Sequence, residues 1–138
     1  MVTSAEPWQP LLEDLEKLRS EWPGGAWGWD PRFKCVASSF GKEIAERARV
    51  AMTGVLDSEW SGATLDRAPP EVRTLAGKYG GVRSGQFLYS GRLVEGMHLY
   101  GLWWPWGDGA TISLRVGIAN CQRPTDAYPQ VRALFKIA

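Results

Sequence analysis

The hydrophobic period of this chain changes once, near Gly85, and that change limits the fold more than any other feature. Before it, Trp8, Leu11, Leu12, Leu15, Leu18 and Trp22 recur at three- and four-residue steps. That spacing lines apolar side chains along one face of a helix. After it, the repeat shortens to two, the step that sends successive side chains to opposite faces of a sheet. Residues 86–94, 97–104 and 110–119 therefore predict three strands of an antiparallel meander. Glu95-Gly96 supplies a two-residue turn between the first pair, and Pro105-Trp106-Gly107-Asp108-Gly109 a five-residue loop between the second.

The segments ahead of the meander are mostly helical. Pro23-Gly24-Gly25 stops the first helix, and Ala26-Trp27-Gly28-Trp29-Asp30-Pro31 is too rich in Gly and Pro to continue it. Residues 33–37 predict a short strand, after which Ser38 or Ser39 caps a second helix over roughly 40–58. Ile44, Ala48, Ala51, Met52, Val55 and Leu56 form its apolar stripe. Residues 57–68 read as a polar loop carrying Trp60, and Pro69-Pro70 opens a third helix ended by Gly77 or Gly80-Gly81. In the last segment, 126–138, Val131, Leu134 and Phe135 suit a helix, whereas Val131, Ala133, Phe135 and Ile137 suit a strand; the helix is the reading adopted. The expectation is one α+β domain over 1–138, with N-terminal helices on one face of an antiparallel meander of three to four strands and a C-terminal helix.

Composition narrows the function classes. With 44% hydrophobic and 22% charged residues the chain has the makings of a folded core, not of a disordered tract. A net charge of +1 disfavours nucleic acid as a partner. No apolar run is long enough to cross a membrane, and residues 1–10 hold Glu6 and no basic residue, unlike an export signal. Cys35 and Cys121 lack metal-ligand spacing and His98 is the sole histidine, so neither a metal nor a cofactor is expected. The expected location is the cytoplasm, with both thiols reduced. Charge is unevenly spread: residues 1–30 hold six acids against two bases, and residues 73–138 hold eight bases against three acids.

The turn lengths assign strand faces. One face collects Phe87, Tyr89, Leu93, His98, Tyr100, Leu102, Trp104, Ile112, Leu114, Val116 and Ile118 as core. The other collects Leu88, Met97, Leu99 and Trp103 between Arg92 and Arg115, the aromatic, Met and Arg mixture that marks an interface. Either a helix or the C-terminal segment covers that face, or it is a binding surface, or its apolar residues are merely scattered and exposed. Trp106, in a loop held by Pro105, Gly107 and Asp108, would be a rigid aromatic anchor, with Trp27 and Trp29 in a second loop of similar chemistry.

Catalytic patterns are sparse. His98 is the residue that titrates near neutrality and is a candidate general acid or base, as in a small metal-independent ribonuclease. There is no GxSxG elbow, and the Gly-rich stretches lack phosphate-loop spacing. The order of elements loosely resembles that of small bacterial immunity proteins, secretion chaperones and ribonuclease-like toxins, with no motif selecting among them. The leading expectation is a non-catalytic protein-binding module, immunity- or adaptor-like, with Arg92, Leu99, Trp103, Trp106, Asp108, Arg115, Trp27 and Trp29 as its candidate binding residues. The alternatives are a nuclease or transferase using His98 and arginines, and a small-molecule receptor whose pocket is lined by Trp27, Trp29, Tyr100 and Trp104.

Overall fold

A computed structural model describes residues 6–137, so the reading of residues 1–10 as unlike an export signal lies partly outside the described residues. Among those described there are four α-helices: α1 (Gln9–Glu21), α2 (Ala45–Thr53), α3 (Pro70–Lys78) and α4 (Pro124–Leu134). The strands are β1 (Gly28–Asp30), β2 (Cys35–Gly41), β3 (Ser58–Trp60), β4 (Phe87–Val94), β5 (Met97–Pro105) and β6 (Thr111–Ala119). They form one antiparallel sheet in the order β1-β2-β6-β5-β4-β3. The class is α+β, with a helix near the C-terminus as expected, but the sheet has six strands and not three to four. The additions are the edge strands β1 and β3, each three residues long, too short to show an alternating pattern.

The second helix is shorter than its stripe suggested. Ser38 and Ser39 do not cap it; they lie within β2, which pairs with β6 from Val36↔Val116 to Gly41↔Thr111. Ser38 faces inward, and its Oγ accepts a hydrogen bond from the Trp22 indole at 3.2 Å. A 3-10 turn over Lys42–Ile44 then leads into α2. Val55 and Leu56 stay buried beyond the helix end, their N–H groups donating to the Met52 carbonyl.

Helices cover both faces of the sheet, which corrects the one-face expectation. Leu11, Leu15 and Leu18 of α1, Ala48 and Met52 of α2 and Val131 of α4 pack on one side with Leu99, Trp103, Leu114 and Val116. Val72, Leu75 and Ala76 of α3 pack on the other with Cys35, Leu88, Tyr100 and Leu102. Each fully buried aliphatic side chain contributes about 1.5–3 kcal/mol through removal from water. From Met97 to Trp103 every residue of β5 is buried, so that central strand has no wet face to betray its phase.

The β4–β5 turn is the expected two-residue one: Glu95 (φ 49°) and Gly96 (φ 82°) both lie in the left-handed region that such turns require. Leu93 therefore opposes His98. Beyond them a bulge shifts the register by one, and Ser90 opposes Tyr100 and Phe87 opposes Trp103. The bulge takes in Gly91 and Arg92, and a Cβ at Gly91 would stand 2.8 Å from the Val55 carbonyl oxygen, so the chain leaving α2 presses directly on β4. On the other side Pro105 opposes Ile112 and Trp104 opposes Ser113, whereas a five-residue loop would set Trp104 against Ala110, a register shift of three residues. Both shifts turn β5 over relative to its neighbours. His98, Tyr100, Leu102 and Trp104 face α3, and Leu99 and Trp103, expected on an open surface, are 0% and 2% exposed within the main core. No helix among the described residues is long and apolar enough to cross a membrane.

Candidate functional site

A concavity gathers around the turn between β1 and β2. Asp30 organises that turn: its Oδ1 accepts the backbone N–H groups of Arg32 (2.9 Å) and Phe33 (3.1 Å), and its carbonyl accepts that of Lys34 (2.7 Å). This is an Asx-type closure, the local chemistry for which Asp is favoured in turns. The other carboxylate oxygen accepts from Arg115 Nε at 3.0 Å, and Arg115 Nη1 donates to Ser113 Oγ at 3.2 Å. The guanidinium lies 4.9 Å from the Trp104 ring centre and 5.5 Å from that of Phe33. Burial opposes ionisation of Asp30, but the hydrogen bonds from Arg115, Phe33 and Arg32 outweigh it and hold the carboxyl below its ordinary range. The turn is thereby tied to the centre of the sheet.

Beside it opens a cavity of about 570 Å³ between the turn, α3 and the end of β6. Phe33 and Tyr79 meet edge to face on its wall, with ring centres 5.0 Å apart. Within it the Tyr79 and Tyr100 hydroxyls share a hydrogen bond of 3.0 Å. Tyr100 fits there because β6 has Gly117 beneath it: a Cβ at that position would stand 2.6 Å from the hydroxyl oxygen. Burial raises the pKa of both tyrosines, and burial together with the Asp30 charge pushes the neighbouring Cys35 thiol up to about 12. These groups therefore stay protonated at neutral pH and offer hydrogen bonds, not a nucleophile or a base.

The charged side chains at the cavity are Arg32, Lys34 and Lys78, and no carboxylate lines it. Among the described residues none of the three forms an ion pair, whereas Arg92, Arg115 and Arg123 each do. Lys34 (φ 56°) and Asn120 (φ 58°), both lining the cavity, hold left-handed backbone, which asparagine accommodates and lysine adopts only with strain. The arrangement suits an anion: cations at the rim, hydroxyl donors deeper in, and no carboxylate on its walls.

The structure scatters the residues singled out from sequence. Arg92 pairs with Asp14 (3.0 Å) and donates to the Pro10 carbonyl, fastening the bulge to α1. Asp108 closes its own loop, accepting from the N–H groups of Ala110 and Thr111 and from the Thr111 hydroxyl. Trp106 is 49% exposed at the loop. Trp27 packs between Trp22 and Phe135, whereas Trp29 lies against Tyr128 of α4. Arg115 supports the turn. His98 is 2% exposed; its Nδ1 donates to the Leu99 carbonyl, its Nε2 has no partner among the described residues, and it lines neither this cavity nor the one beside it.

Of the pocket expected from Trp27, Trp29, Tyr100 and Trp104, Tyr100 lines the cavity and Trp29 its neighbour. Sequence reasoning passed over Arg32, Lys34, Lys78 and Tyr79. The available signal was a cation–aromatic–cation run, Arg32-Phe33-Lys34, just after a turn-forming Asp30-Pro31 pair. Among the described residues no group of three or more His, Cys, Asp or Glu is placed to hold a metal ion. Comparison with protein-family models, curated proteins and solved structures yields no match to this chain.

Proposed function

We propose that this chain is a non-catalytic binding module of the cytoplasm whose cation-lined cavity receives an acidic segment of a protein partner, the role an adaptor or immunity protein would play. The observation that carries the reading is the unopposed charge: Arg32, Lys34 and Lys78 converge on a cavity that no carboxylate lines. Complementary charge of this kind steers a partner and fixes its register. The expected surface thus moves from the sheet face, where Leu99 and Trp103 are buried, to the β1–β2 turn.

Nucleobase stacking fits less well. Arg32 already lies 4.2 Å from the centre of the Phe33 ring, with Arg115 5.5 Å from it, and Arg132 lies 5.4 Å from that of Trp29. Those rings have guanidinium groups where a base would stack. A small polyanionic ligand is the second reading, favoured by a cavity volume within the roughly 300–1,000 Å³ usual for ligand sites.

Isothermal titration of a polyglutamate peptide tests the proposal. Saturable binding is expected that weakens with added salt and by about tenfold in the double variant Lys34→Glu, Lys78→Glu. An unchanged Kd in that variant would sink the reading. So would tighter binding of a single-stranded RNA, and a small dianion matching the peptide's affinity would favour the ligand reading instead.

A further inference from the structure

We infer that the partner segment runs on past Lys34 into a second cavity, which holds its main chain and a proline or bulky apolar side chain; this rests on the acidic-segment reading above. The second cavity, about 540 Å³, shares Lys34 and Tyr128 with the first. Its other walls are Trp29, Pro31, Pro124, Thr125 and Pro129, with Arg132, whose guanidinium lies 5.4 Å from the Trp29 ring centre, so a groove lined by several cations at one end becomes mainly aromatic and proline-lined at the other, with one cation beside the ring. Aromatic-lined grooves suit extended, proline-containing segments, whose ordering costs little entropy.

The decisive detail is Pro129, inside α4 and beyond the first turn, where proline is well tolerated. Its ring nitrogen carries no hydrogen, so the Thr125 carbonyl is released from the bond that residue 129 would ordinarily give it. Thr125 and Pro129 share one face of the helix and both line the cavity. A helix carbonyl released beside an apolar wall is an acceptor for an N–H, which a polypeptide carries at every residue except proline. A groove with cations, then a main-chain acceptor, then proline and aromatic walls matches an extended segment that is acidic at one end and apolar at the other.

Fluorescence anisotropy with three labelled peptides tests this: an acidic one, a proline-rich one, and the two joined. On the unmodified protein the joined peptide is expected to bind about five- to tenfold more tightly than the acidic one. Pro129→Ala lets the helix reclaim its carbonyl. That variant should melt at a higher temperature, keep its affinity for the acidic peptide and lose the advantage of the joined one. The inference is overturned if the joined peptide binds no better than the acidic peptide, or if its advantage survives Pro129→Ala. If neither the acidic nor the joined peptide binds, the acidic-segment reading fails and takes this inference with it.

Discussion

At the scale of single residues, the candidate site rests on a conflict between stability and chemistry at Lys34. Its left-handed backbone (φ 56°) would suit glycine, yet lysine stands there and faces both cavities. Lys34→Gly is expected to stabilise the fold by about 0.5–1 kcal/mol, relief of the Cβ strain exceeding the entropy of the freer unfolded chain. The same variant should weaken acidic-peptide binding by about three- to fivefold, the loss of one exposed ion pair. Urea denaturation and titration check the two halves separately. Little of this was legible beforehand, because a residue's φ in a turn depends on how the turn closes. Arg115 was legible as an important arginine, but its partner Asp30 is 85 positions away in sequence and its task is to brace a turn.

At the scale of elements, helices bounded by Pro and Gly were readable, and the phase of β5 was not. Helices α1 and α3 start and stop within a residue or two of their sequence signals, since Pro23-Gly24-Gly25 and Gly80-Gly81 cannot continue a helix. Tyr89 and Leu114 were placed on the core face correctly, whereas Trp103 and Trp104 changed places because a bulge on one side and a three-residue register shift on the other turned β5 over. That exchange has a measurable consequence. Trp103→Ala is expected to cost about 3–5 kcal/mol, as removal of a buried aromatic ring does. Trp106→Ala should change stability by no more than about 0.5 kcal/mol and leave acidic-peptide affinity unaltered. Equal losses in the two denaturation curves would contradict the register described.

At the scale of the whole molecule, the bridge from Asp30 to Arg115 joins the edge strand β1 to the interior strand β6, so the site and the sheet share one electrostatic tie. The carboxyl is held below its ordinary value, so the folded protein takes up that proton less readily than the unfolded chain. Its stabilisation is therefore complete above the ordinary aspartate value of about 4 and is lost as pH falls through the folded value. Asp30→Asn is expected to lower stability by about 1–3 kcal/mol at neutral pH. The gap from the unmodified protein should hold down to about pH 5 and narrow below about pH 4; a gap that widens on acidification would contradict the assignment. From the sequence alone came the α+β class, the boundaries of α1 and α3 and the tight β4–β5 turn, all set by periodicity and by Gly and Pro, which act through their immediate neighbours. The tertiary structure alone decided which faces are covered and where cations converge. A strand buried on both sides carries no alternation, and Lys34 and Lys78 are neighbours only because the β1–β2 turn and α3 meet at the same end of the sheet.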